Sequence, residues 1–208
     1  IVVFGFRDVF VWFLRSVLIR DTGVLDLADV SSLTPEGRHR VAIHEAGHAI
    51  CYGLTTAVPE DAYVCIDTDL NSLIVGSVTI PTPKDPTEVT KERLEWSMLM
   101  TMAGVAAEHH FFGEKSLSGS GDIASMSQLA TAYLSAGHGE VFDPAPADEL
   151  GLSANRAAIG RLRDHYASLA EVFIQANHSL CEEMARLVEK DEFVDCTFIA
   201  GIVGSVAL

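Results

Sequence analysis

The stretch "LTPEGRHRVAIHEAGHAI", Leu33 to Ile50, carries the signals of a helix start and, inside it, the run His44-Glu45-Ala46-Gly47-His48. Thr34 is a natural N-cap, since its hydroxyl accepts from an amide that has no partner in the first turn. Pro35 suits the first helical position, where no amide hydrogen bond is lost, and Glu36 complements the positive end of the helix dipole. Gly53 marks the expected end. Ile43, Gly47, Ile50 and Leu54 recur at helical spacing, so the helix lies against a core.

On such a helix His44 and His48, four residues apart, share one face and can converge on one ion. Neutral imidazoles suit zinc, and a catalytic zinc takes three protein ligands with one position left for water. Glu45 can reach that water as general base, and the ion lowers the water's pKa to about 7. Ala46 and Gly47 permit close packing beside the ion. A purely structural zinc would instead be closed by four protein ligands.

The third ligand is less defined. The extended pattern with Gly three and His six residues after His48 fails, because those positions hold Cys51 and Leu54. Downstream candidates are Glu88, Glu92, Glu95, Glu108, His109, His110 and Asp122. His109 and His110 are adjacent and point about 100° apart on a helix, so they do not share one metal. Glu108 is a ligand or a partner orienting a ligand histidine. Asp122 stands in a Gly/Ser loop at a helix start, where a carboxylate is favoured even without metal. From residue type and position alone, Glu108 and Asp122 are level.

The remaining composition narrows the function classes. Of 208 residues, 49% are hydrophobic and 21% charged, a globular profile. A formal charge of −15 with no basic cluster excludes nucleic acid as a natural partner. Cys51, Cys65, Cys181 and Cys196 are far apart and form no Cys-x-x-Cys pair, which favours free thiols in a reducing compartment. The opening "IVVFGFRDVFVWFLRSVLIR" is interrupted by Arg7, Asp8 and Arg15, whereas a spanning helix needs ~20 largely apolar residues. It reads as a buried or interface-seeking helix, with membrane-surface attachment as the second reading.

Along the chain, residues 1–32 form an apolar segment and connector, and 33–208 a single functional unit whose zinc site and strands occupy 33–140. A strand pair is expected at Tyr63–Asp67 and Leu73–Ile80, then a buried helix from near Thr87 or Thr90 to Gly113. "SLSGSGD" opens a third helix ending near Gly137, and the linker-like "FDPAPADELG" leads to a helical hairpin, Ala154–Ala176 and Ser179–Lys190. The apolar tail "FIAGIVGSVAL" is too short to span a bilayer and packs on the core or a second subunit. The fold class is therefore mainly α with a small β-sheet or hairpin.

Several segments in order resemble the peptidase domain of the FtsH family of membrane-anchored AAA zinc proteases: "LTPEGRHRVAIHEAGHAI", "VGSVTIP", "VTKERLEWSMLMTMAGVAAEHHFFGE", "LSGSGDIASMSQLA" and the closing "FIQANHSLCEEMARLVEKDEF". The resemblance spans about residues 33 to 195. It implies a zincin-like helical metalloprotease domain with one Zn2+ per chain, held by His44, His48 and Asp122, with Glu45 as general base. Glu108 then becomes a supporting residue. The substrate, a protein or peptide, would add as an extended strand along Val75, Gly76, Ser77 and Val78.

Two departures stand out. The family's Gly-Gly-Arg-Ala-Ala-Glu-Glu reads Ala103-Gly104-Val105-Ala106-Ala107-Glu108-His109, so Val105 replaces an arginine. The sequence also holds no Gly-x-x-x-x-Gly-Lys-[Ser/Thr] loop, and so no AAA motor motif. The resemblance then implies already flexible substrates, a separate ATPase, or a longer parent chain. It also implies a homo-oligomer (a hexamer, as in the family) and a cytoplasmic location, peripheral to a membrane through the N-terminal segment. The competing reading is a catalytically silent interaction or regulatory module.

Overall fold

The computed structural model describes residues 33–66, 76–79, 89–116 and 119–207. Helix α1 is Pro35–Ile50, and Thr34 Oγ1 accepts from Gly37 N at 3.0 Å as its N-cap. From Val41 to Ile50 every residue is buried, because α1 is packed between later helices on two sides and the sheet on another. Full burial of one side chain such as Ile43 or Ile50 stabilises by about 1.5–3 kcal/mol, so this helix anchors the core.

A 3-10 turn, Cys51–Leu54, continues from α1. Gly53 therefore does not end the helix as expected. A Cβ there would stand 2.4 Å from Val206 Cγ2 and 2.8 Å from the Val203 carbonyl, so the glycine serves close approach of the C-terminal tail.

Strand β1 is Tyr63–Ile66 and β2 is Gly76–Val78, antiparallel with Cys65 opposite Ser77. The expected strand pair is thus present in these residues, while Asp67, Leu73–Val75 and Ile80 lie outside the described ones, as do residues 1–32. Helix α2, Lys91–Phe112, starts on Thr90, whose Oγ1 accepts from Arg93 N, and stops on Gly113 at φ 73°. Its middle, Met98 to Glu108, is buried except for Leu99, as the apolar run requires of a central helix.

Helix α3 is Ser120–Ser135, followed by α4, Glu149–Ala176, and α5, His178–Asp191. Helix α4 begins five residues before the expected Ala154, inside the linker-like stretch, because Asp148 Oδ1 caps it by accepting from Gly151 N at 2.8 Å. Asn177 joins the hairpin. Its side chain is buried and bonds the tail, donating to Ala207 O and accepting from Ala207 N at 2.7 Å.

A third strand, not expected from the sequence, completes the sheet. β3, Phe193–Asp195, pairs with β1 and makes the sheet order β2-β1-β3. Glu192, at φ 60°, ends α5, and Asp195 Oδ1 caps the next helix, so only three residues remain to be extended. The tail then forms α6, Cys196–Val203, which buries Ile199 and Val203 in the same core. Among the described residues no helix is long and apolar enough to cross a membrane. The mainly α fold with a small sheet is thus present.

Candidate metal centre

His44 and His48 project from one face of α1, their rings edge to face with centroids 4.7 Å apart. Their Nε2 atoms are 3.1 Å apart. Each ring is held from behind: His44 Nδ1 lies 2.6 Å from Glu108 Oε1 and His48 Nδ1 lies 2.7 Å from the Met100 carbonyl, both partners on α2. A carbonyl only accepts, so the proton of neutral His48 sits on Nδ1 and its Nε2 presents a lone pair. The Glu108 carboxylate imposes the same tautomer on His44. Both histidines thereby turn Nε2, the atom that could bind an ion, toward the same space.

Asp122, in the first turn of α3, enters from the other side. Its Oδ2 is 3.0 Å from His44 Nε2 and its Oδ1 is 3.6 Å from His48 Nε2. Two ligands about 2.0–2.1 Å from a tetrahedral zinc are separated by about 3.3 Å, which these three spacings bracket. Gly104 tests the fit from the third side. A Cβ there would stand 2.4 Å from His48 Nε2 and 2.9 Å from His44 Nε2, so only glycine lets α2 approach an ion between these atoms.

The charges agree. Burial pulls the His44 imidazole down, but the hydrogen bonds that it donates to Asp122 and Glu108, with the Glu45 charge, outweigh it and hold it at about 10. Burial acts on Asp122 in the opposite sense, yet His48 and His44 keep its carboxyl well below the ordinary range. Glu45, Glu108 and Asp122 thus surround the two imidazoles in a mostly buried setting that favours positive charge between them, carried without an ion by the His44 imidazolium. A divalent cation at the Nε2 atoms would take the place of that proton.

Glu45 is 7% exposed and opens on a cavity of about 230 Å3 that also borders His44, His48, Asp122, Gly76 and Ser77. Burial raises its carboxyl above the ordinary value, against the opposing pull of His48 and His44. A Cβ at Gly76 would lie 2.5 Å from Glu45 Oε1, so the β2 backbone runs directly over the carboxylate. Of the tentative strand residues, Gly76, Ser77 and Val78 border this cavity, and Val75 lies outside the described residues.

The other candidate ligands go elsewhere. Glu95 accepts from Tyr133 Oη at 2.9 Å, His109 pairs with Glu171 and His110 faces His178. Glu92 sits in the exposed first turn of α2, and Glu88 lies outside the described residues. Reading the sequence missed three supports: the Met100 carbonyl, Gly104, and Arg40, whose Nη1 is 3.6 Å from Glu108 Oε2. The first is a backbone atom that no residue type announces. Val105, standing where the family has arginine, is buried, and its Cγ2 would be 2.6 Å from a Cβ on Gly119. It packs against Gly119, three residues before Asp122.

The model of peptidase family M41 matches residues 31–142, more than half of the chain and all of this centre. The chain belongs to peptidase family M41. It is 34% identical over 104 residues to ATP-dependent zinc metalloprotease FtsH 2 of Symbiobacterium thermophilum, a match covering 50% of this chain and 17% of that protein. ATP-dependent zinc metalloprotease FtsH 1 of Sorangium cellulosum is 32% identical over 99 residues, covering 47% and 16%. The mitochondrial inner membrane m-AAA protease component yta12 of Schizosaccharomyces pombe is 28% identical over 163 residues, covering 77% and 19%. The chain thus spans less than a fifth of the length of these relatives, and what it shares with them is the FtsH-type peptidase domain.

Proposed function

We propose that this M41 domain is a zinc metalloendopeptidase that hydrolyses flexible or unfolded protein chains, with residues 33–208 as the working unit. The observation that carries the reading is the meeting of His44 Nε2, His48 Nε2 and Asp122 beside the Glu45 carboxylate. A zinc ion bound by those three side chains supplies Lewis-acid polarisation of the scissile carbonyl and acidifies water. Glu45 takes a proton from the attacking water as its oxygen bonds the carbonyl carbon. It then gives that proton to the departing amide nitrogen as the C–N bond breaks. Burial shifts its carboxyl upward, the direction that strengthens it as a proton acceptor. Glu108 and the Met100 carbonyl hold the histidine rings, so neither ligand reorients during turnover.

Strand β2 pairs with β1 alone among the described strands and borders the cavity. A substrate segment laid on its other edge would be bound by main-chain hydrogen bonds, which select extended backbone rather than sequence. The names of the relatives, one ATP-dependent and one a component of an inner membrane protease, further support an ATPase that feeds this domain and a position at a membrane face.

The test compares wild type with Glu45→Gln for zinc content and cleavage of unfolded casein. Both proteins hold one zinc per chain, and the variant loses casein cleavage by ~10²–10⁴-fold. Zinc-loaded wild type that cleaves no unfolded protein sinks the peptidase reading in favour of the silent module.

A further inference from the structure

A second group of histidines lies away from the metal centre, where the C-terminal end of α2 meets the turn between α4 and α5. His109 is occupied by Glu171, at 3.4 Å. His110 Nε2 and His178 Nδ1 face one another at 3.0 Å across two helices, close to the 3.1 Å that separates the Nε2 atoms of His44 and His48. Both side chains are exposed, so the pair is open to solvent ions.

Each ring is aimed. Phe111 stacks on His178 with centroids 4.6 Å apart and planes 14° from parallel, which fixes the plane of the imidazole. Glu182, one turn along α5, places its carboxylate 3.9 Å from His178 Nε2, on the far side of the ring from His110. That gap is too long for a hydrogen bond, so Nε2 faces an acidic group and Nδ1 is the nitrogen directed at His110. For His110, partial burial and then the neighbouring His178 and His109 lower the imidazole's pKa, which favours the neutral, ligating form.

We propose that His110 and His178 form a second, weaker and exchangeable site for a late first-row divalent cation, with water completing its shell. Paired imidazoles prefer Ni2+, Cu2+ and Zn2+ to the oxygen-seeking Ca2+ and Mg2+. Among the described residues only His44, His48 and Asp122 bring three donors together, so this pair lacks a third protein ligand and exchanges its ion readily. An ion here ties the last turn of α2 to the α4–α5 turn. Glu108, which orients His44, stands two residues before His110 on that same turn. With no ion, the pair makes an N–H···N hydrogen bond.

The test titrates Ni2+ into the full chain carrying its stoichiometric zinc, by calorimetry, in wild type, His110→Gln and His178→Gln. Wild type takes up one further Ni2+ and its thermal midpoint rises. Either variant weakens that uptake by roughly a hundredfold, the gain that holding two ligands on one scaffold supplies, and keeps its zinc. Both histidines are on the surface, so unchanged midpoints without Ni2+ show that folding is intact. No further Ni2+ on wild type, or uptake unchanged in both variants, overturns the proposal and leaves the pair a hydrogen bond. The result does not depend on casein cleavage, so this site and the peptidase reading stand or fall separately.

Discussion

Replacing Gly104 by alanine tests how closely α2 is fitted to the metal centre. The added methyl would sit 2.4 Å from His48 Nε2 and 2.6 Å from its Cε1, and 2.9 Å from His44 Nε2. Ordinary contact begins near 3.4 Å, so something must give by about 1 Å. The rings have little room to retreat, because His48 is tied to the Met100 carbonyl on α2 itself and His44 to Glu108 on the same helix. A metal site tolerates displacements of only about 0.2 Å in its ligand distances. Gly104→Ala is therefore expected to weaken zinc by ~10–100-fold or more, comparable to losing a group that orients a ligand. Overpacking should cost about 1–3 kcal/mol of stability as well. Zinc affinity is read by competition with a chromophoric chelator, and stability by urea unfolding of the metal-free protein. A Gly104→Ala protein that is normally stable and holds zinc as tightly as wild type would refute the cradle.

Three further outcomes follow from the same contacts. Gly76→Ala places a methyl 2.5 Å from Glu45 Oε1 and should suppress casein cleavage while leaving zinc content at one per chain, a separation that losing a ligand cannot produce. Glu108→Gln removes the negative acceptor at His44 Nδ1 and should weaken zinc by ~10–100-fold in the chelator assay, without abolishing the site. Burial pushes the Cys181 thiol up to about 12 and Cys51 higher still, so both stay protonated at neutral pH. Iodoacetamide should then modify the half-buried Cys65 and Cys196 first, reaching Cys51 and Cys181 only on unfolding, as peptide mass mapping would show.

What could be read in the sequence was what depends on neighbours along the chain. Thr34, Pro35 and the four-residue spacing of His44 and His48 are local, and the helix starts and faces as they require. Asp122 and Glu108 could not be ranked from their own surroundings, since both are carboxylates near helices. The fold separates them by side, Glu108 reaching an Nδ1 atom and Asp122 the Nε2 atoms. Gly53 looked like a helix terminator, but its constraint comes from Val206, more than 150 residues away. The three-residue strand Phe193–Asp195 is too short for an alternation to register, and it exists because Glu192 and Asp195 end one helix and cap another. Arg40 and the Met100 carbonyl act through distances that no spacing rule encodes.

The central claim is that His44, His48 and Asp122 hold the catalytic ion and leave it a position for water. A zinc-edge anomalous difference map from crystals of the zinc-loaded protein tests this directly. One fully occupied peak is expected, within bonding distance of His44 Nε2, His48 Nε2 and an Asp122 oxygen, with Glu45 and Glu108 outside that shell. A full peak elsewhere, or one closed by a fourth protein ligand, would contradict the account.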